Sequence, residues 1–331
     1  MVAGWCANVP TRAGATALCF WFAGPCLSLG DWTLEAKVGN ALQVKSELAM
    51  IAVHAHPDDE ASKGGATMAR YAAEGVRVVV ATFTGGERGG VLNPALQGRQ
   101  DIVENLPAIR RQEMAAAAAA LGVEQVFLGF ADSGLPEGDP LPPLPPGSFA
   151  TLPPSEAARP LVGLIREIKP QVLTTYDETG GYPHPDHIQT HLVTMQALEL
   201  AANPKALVEL GEAYRVPKVY YDRGFSLARV EAIDQAMAAA GLASPFPEWL
   251  EQRRRQGEAG KLVTAKVDVS GFFDARDAAL RAHATQIDPE GWFFSVPRYF
   301  EQTVWPWEEF ERARPLPVPG QIETDLFAGV R

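Results

Sequence analysis

Met50-Ile51-Ala52-Val53-His54 runs straight into Ala55-His56-Pro57-Asp58-Asp59-Glu60, and this junction decides the fold. The apolar run suits a buried strand. The residues after it read as a helix start, because proline is tolerated where a helical N–H has no partner and an early acid favours the positive helix end. The same grammar returns further on. A β-prone run, 171–176, precedes Tyr182-Pro183-His184-Pro185-Asp186-His187, and a helical pattern comes after it. Two strand-to-helix turns of this kind, side by side, would gather His56, Asp58, Asp59, His184 and His187 at one edge of a sheet.

Outward from these turns the pattern alternates. Strands are expected over 48–54, 76–84, 125–129, 171–176 and 217–222, and helices over 61–74, 107–121, 156–168 and 185–202. Alternation of this sort predicts an α/β fold, a Rossmann-like and mostly parallel sheet flanked by helices. Ligands of such sheets bind beyond the carboxyl ends of the strands, where both His-Pro-Asp triplets fall. Residues 223–331 are less regular, with helices expected over 229–240 and 271–284 and a strand over 264–269, and read as a smaller C-terminal cap region. The proline-rich stretch 133–154 leaves a strand end beside the site and reads either as a wall of it or as a solvated surface loop. Gly85–Gly90 (G-G-E-R-G-G) lacks the glycine spacing of a dinucleotide loop.

The chain of 331 residues carries a formal charge of −11, which argues against a general nucleic-acid binder or an anionic-membrane binder. Cys6, Cys19 and Cys26 are its only cysteines, so a metal site in the body must use His, Asp or Glu. Residues 1–45 differ in composition and read as an N-terminal extension, disordered or arising from a start placed too far upstream, with residues 46–331 as the folded domain. Only Arg12 precedes the uncharged stretch 13–30 as a basic residue and no clear cleavage site follows it, so a cytoplasmic protein is expected. The oligomeric state is not legible.

Taken once, His-Pro-Asp is an ordinary capped turn. Taken twice at strand ends, it reads as a metal centre. His56, Asp59 and His187 are the expected ligands, His56 and Asp59 being three residues apart on one turn. Imidazole with carboxylate suits Zn²⁺, with Fe²⁺ as the other candidate. Asp58 is then free to act as general base, and His184 to stabilise negative charge on a substrate oxygen. Asp186 is placed to orient a histidine, and Glu60 to support the first turn. His54 and His191 are expected to pack near the site without binding metal.

At these residues a family becomes visible. A-H-P-D-D-E with G-Y-P-H-P-D-H resembles the metal-dependent N-deacetylases (PIG-L, or LmbE-like), which have a Rossmann-like fold and hydrolyse amides on glucosamine. V-H-A-H-P-D-D-E-A-S-K-G, T-G-G-E-R-G, I-R-R-Q-E-M, L-G-F-A-D-S-G-L-P, L-R-A-H-A-T-Q-I-D-P and E-T-D-L-F-A-G are similar to the branch of that family acting on S-substituted mycothiol, a small-molecule thiol conjugate. That resemblance spans about residues 46–328. It implies cleavage of the amide between the cysteinyl carbonyl and the glucosamine nitrogen, giving a mercapturic acid and glucosaminyl-inositol. Deacetylation of N-acetylglucosaminyl-inositol is the nearest alternative, and an amidase step in antibiotic biosynthesis or a non-catalytic conjugate binder are others. The resemblance assigns metal binding to His56, Asp59 and His187, the base to Asp58 and carbonyl polarisation to His184. It places Tyr182 near the scissile bond, Arg110 and Asp132 on the sugar and inositol, and Lys63 where the amidase branch carries lysine beside the cysteinyl arm. His283 falls in a family-like stretch with no chemistry assigned.

Overall fold

The β-branched run of residues 76–84 forms β2 (Arg77–Thr84), which pairs in parallel with β1 (Ala49–His54) along the whole of the shorter strand. β3 (Glu124–Phe130) lies outside β2. The chain then returns to the other side of β1 with β4 (Val172–Thr175), followed by β5 (Lys218–Asp222). The computed structural model describes residues 48–256 and 262–331, all within one compact unit, and the expectations for residues 1–45 fall outside them.

The seven-stranded order is β3-β2-β1-β4-β5-β7-β6, with β6 at Ala265–Asp268 and β7 at Trp307–Arg314. The first five strands are parallel; β7 runs antiparallel to β5 and to β6. The sheet is therefore mostly parallel, as expected. Its strand order reverses between β1 and β4, which opens a crevice at their carboxyl ends.

Helices cover both faces. α1 (Asp59–Ser62), α2 (Gly65–Ala73) and α3 (Gln100–Leu121) precede β3; α4 (Pro154–Ala157) and α5 (Arg159–Ile168) precede β4; α6 (Pro185–Ala202) comes after it. The strand period of two separates the cores. Met50, Ala52, Val78 and Val80 pack on one face with Met68, Met114 and Leu121; Ile51, Val53, Val79 and Ala81 pack on the other with Leu161, Ile165 and Val193. Full burial of each such aliphatic side chain contributes roughly 1.5–3 kcal/mol before entropy is counted.

α3 starts earlier than expected. Pro107 is not its opening residue but lies inside it. A proline there deprives the carbonyl of Val103 of its donor. Val103 is on the exposed side of the helix, where solvent can meet that oxygen, and the helix runs on through the proline.

The C-terminal region is smaller, and it both caps and extends the sheet. α7 (Leu227–Ala239), α8 (Pro247–Gln256) and α10 (Arg298–Val304) share a separate apolar cluster that includes Val230, Ile233, Leu250 and Phe300. α9 (Phe273–Ala282) packs instead into the main core through Phe273 and Leu280. β7 was not expected, because Glu308 and Glu309 look wrong for a buried strand. Glu308 takes backbone N–H bonds from Ala66 (3.3 Å) and Thr67 (2.8 Å), capping α2, whose own N-cap is the side-chain-less Gly64. No described helix is long and apolar enough to cross a membrane.

Candidate metal centre and active site

The two His-Pro-Asp turns meet at the β1–β4 crevice, but they are built differently. In the second, His184 is the N-cap of α6, Pro185 opens the helix, and the Asp186 N–H donates to His184 Nδ1 at 3.1 Å. In the first, the helix starts later than the triplet suggests, at Asp59, and Asp58 is the N-cap. Asp58 has φ 104°, a conformation that strains a side-chain-bearing residue and is held only when its surroundings dictate it. Two carboxylates do so: Asp59 Oδ2 accepts the His56 N–H at 3.0 Å, and Glu60 Oε2 accepts the Asp58 N–H at 2.9 Å.

His56, Asp59 and His187 present ligand atoms within 4.8 Å of one another. Hydrogen bonds behind the rings decide which nitrogens face inward. His187 Nδ1 donates to the Gly180 carbonyl at 3.0 Å, leaving Nε2 as a bare lone pair, buried and without a hydrogen-bond partner, 3.3 Å from Asp59 Oδ2. His56 Nε2 donates to Asp186 Oδ2 at 3.2 Å, and its Nδ1 lies 3.6 Å from the same Asp59 oxygen. Three acceptors thus converge with no proton between His187 and Asp59. Such a set repels itself unless a cation sits in it, so these residues fit a divalent metal ion. The electrostatics agree. Burial disfavours a charged His56, but hydrogen bonds to Asp132, Asp186 and Asp59 outweigh it and raise its pKa well above the ordinary value. The surrounding carboxylates thus favour positive charge at His56 Nδ1, which a proton supplies when no ion is bound and an ion would supply in its place.

Gly180 is required here. Its φ is +71°, and a Cβ on it would stand 2.6 Å from the His187 Cβ. Tyr176 stacks on the His187 ring, centroids 4.4 Å apart. His187 and Asp186 are wholly buried.

Asp58 is outside the converging triad. Burial and the neighbouring Asp59 charge push its pKa up to about 7. Its Oδ2 accepts from Gln286 Nε2 at 3.0 Å, and the same amide nitrogen donates to the Pro57 carbonyl at 2.7 Å. Glu60, with one oxygen on the Asp58 N–H, places the other 2.6 Å from His283 Nε2. Both members of that pair are fully buried. Burial disfavours the charged imidazole, yet the Glu60 contact raises the His283 pKa. Gln286 and His283 were missed as functional residues. They lie in the A-H-A-T-Q segment after α9, more than 200 residues from the turn they brace, and only the family-like motif marked them.

His184 is held as a neutral donor. Its Nδ1 accepts from a backbone N–H, so the ring proton resides on Nε2. Burial, then the nearby His56 and His187, lower its pKa to about 4. Its ring lies edge-on to His56 at 4.6 Å. Tyr182, 46% exposed, packs over His187 at 4.5 Å and is the accessible aromatic of the group.

The remaining expected residues gather here with distinct contacts. Lys63 Nζ donates to the other Asp59 oxygen at 2.6 Å, so it charges the back of a candidate ligand as well as facing the crevice. Asp132 is buried; its carboxylate accepts the N–H groups of Arg88 and Gly134 and lies 3.7 Å from His56 Nε2. Arg110, also buried, donates to the carbonyls of Gly89 and Gly90 and so braces the glycine-rich loop. His54 faces Tyr176 Oη at 3.3 Å, and His191 Nδ1 approaches the Tyr176 carbonyl at 3.0 Å, both beside the triad and outside it. Of the stretch 133–154, Ser133 reaches the site, its N–H donating to Asp186 at 2.9 Å, and Phe149 stacks in the core on Phe83.

The GlcNAc-PI de-N-acetylase (PIG-L) pattern matches residues 51–198, the span that carries both turns. The chain is 54% identical over 287 residues to a mycothiol S-conjugate amidase of Streptomyces coelicolor, covering 86% of this chain and 98% of that protein. It is 41% identical to a 1D-myo-inositol 2-acetamido-2-deoxy-alpha-D-glucopyranoside deacetylase of Streptomyces scabiei, covering 85% and 89%. Among solved structures, N,N'-diacetylchitobiose deacetylase from Pyrococcus horikoshii superposes with a TM-score of 0.53 at 18% identity, covering 80% of this chain and 83% of that one, a likeness of fold. With its two turns, its sheet and its full-length relatives in agreement, the chain belongs to the PIG-L family of amide-bond hydrolases.

Proposed function

We propose that the protein is a metal-dependent amidase that hydrolyses the cysteinyl–glucosamine amide of mycothiol S-conjugates, releasing a mercapturic acid and glucosaminyl-inositol. The observation that carries this reading is the 54% identity to the amidase across 98% of its length, against 41% for the deacetylase. The geometry supports the chemistry. His56 Nδ1, His187 Nε2 and Asp59 Oδ2 would hold the ion; Zn²⁺ suits this set, and Fe²⁺ is the other candidate. A bound divalent ion supplies Lewis acidity, lowering the pKa of water and polarising the amide carbonyl.

The chain's own groups account for the proton and the charge. Asp58, unligated and braced by Gln286, takes a proton from the attacking water as its oxygen bonds to the carbonyl carbon. His184 Nε2–H, fixed by the bond at Nδ1, donates to the oxyanion that forms. As the C–N bond breaks, Asp58 returns the proton to the glucosamine nitrogen. Asp186, behind His56, keeps that ring's Nδ1 lone pair facing inward. In this reading Tyr182 would cover the scissile bond, and Arg110 and Asp132 would shape the sugar side.

Mass spectrometry of the products from an alkylated mycothiol, with purified and metal-defined protein, tests the reading. A mercapturic acid with glucosaminyl-inositol is expected, at a higher kcat/KM than acetate release from N-acetylglucosaminyl-inositol. Preference for the N-acetyl sugar would assign the protein to the deacetylase reaction instead.

A further inference from the structure

A cavity of about 560 Å³ opens beside the candidate metal centre, lined by six aromatic rings together with charged groups, Asp222, Arg223, Lys266 and Glu309 among them. Lys63 and Tyr182 form its inner end, against the candidate ligands Asp59 and His187. Its outer walls are Phe225, Trp249, Trp292 and Phe293, contributed by separate parts of the C-terminal region. Phe225 sits 6.3 Å from the Trp292 ring and 6.4 Å from the Phe293 ring, both tilted, so the rings line the space without filling it. Trp292 remains 37% exposed. The Arg253 guanidinium lies 5.1 Å over Trp249, and no ion pair holds it among the described residues.

This chemistry fits one half of the proposed substrate. Arg110 and Asp132, the residues assigned to the sugar and inositol, do not line this cavity, whereas Lys63, assigned to the cysteinyl arm, does. On the acyl side the sulfur is two carbons from the scissile carbonyl, within the reach of a cavity that begins at Lys63 and Tyr182. Pockets of roughly 300–1,000 Å³ take drug-sized ligands, so a methyl group on sulfur would leave most of this space to water. Ring walls with a stacked guanidinium favour planar, polarisable groups.

We propose that this cavity is the subsite for the group carried on sulfur, and that it selects bulky planar aromatic substituents over small alkyl ones. The proposal rests on the amidase reading above. Two measurements separate the fate of each. First, kcat/KM is compared for mycothiol carrying a methyl group and mycothiol carrying a bicyclic aromatic group. A preference of at least about tenfold for the aromatic conjugate is expected. Trp249→Ala and Phe293→Ala should each lower that ratio several-fold, and Trp249→Phe should restore part of it. Because the ratio is taken within one preparation, partial unfolding does not change it. Equal rates on the two conjugates, or an unaltered ratio in both alanine variants, would overturn the subsite while leaving the amidase reading intact. Second, calorimetry measures binding of an N-acetyl-S-arylcysteine to the zinc-loaded protein. Binding that weakens about tenfold in Trp249→Ala is expected even if neither conjugate is cleaved, a result that would sink the amidase reading alone; no binding to the wild type would refute the subsite.

Discussion

The metal centre and the aromatic cavity share Lys63 and Tyr182 yet are built on opposite principles. At the metal centre every ring and carboxylate is turned by a second group: a carbonyl for His187, a backbone N–H for His184, a carboxylate for His56, an amide for Asp58. Asp186 and His187 are fully buried. The cavity walls instead come from a loop, a helix and a short turn of the C-terminal region, and their rings are only partly covered. Chemistry needs groups fixed within fractions of an ångström, and strand ends at a topological switch point supply that rigidity. Selectivity among thiol adducts of many shapes needs area and some give, which half-buried rings supply.

The contrast can be broken most severely at the ligands. Asp59→Ala or His187→Ala should abolish stoichiometric metal binding and turnover together, with metal analysis of the purified variants as the check; unchanged metal content would refute the ligand set. Asp58→Ala sharpens the division within the centre. It should retain metal while kcat falls about a thousandfold, in line with the roughly 10²–10⁴ supplied by a general base. Near wild-type turnover would show that Asp58 is not the base.

Gly180→Ala probes the support of the ring. Its new Cβ must move His187, so a stability loss of roughly 1–3 kcal/mol and weaker metal binding are expected, read by thermal melting and by metal titration. Gln286→Ala should act more gently, lowering kcat about tenfold at constant metal content, as loss of an outer hydrogen bond commonly does. If Gln286→Ala instead released metal, its role would be to hold the whole turn rather than the Asp58 carboxylate.

Legibility tracked locality. The parallel core was readable because β1 and β2 carry uninterrupted apolar or β-branched runs, and α6 because proline and acid mark its start. The first triplet misleads in detail: it looks like the second, but its helix begins at Asp59, because Asp58 takes a positive φ that no local pattern announces. β7 was missed because its buried glutamates are satisfied by distant partners, the α2 amides for Glu308 and Lys266 and Ser226 for Glu309. Lys63 was legible as a position, but its bond to Asp59 was not.

By itself the sequence determined the alternation of strands and helices and the inventory of His, Asp and Glu at two strand ends, since period and helix-start chemistry act over a few residues. Only the tertiary structure decided which nitrogen of each histidine would face an ion, that Gln286 and His283 brace a turn more than 200 residues away, and that rings from distant parts of the chain line one cavity. Those outcomes depend on hydrogen bonds and packing between segments brought together by the sheet, and a one-dimensional pattern carries no direction for a side chain.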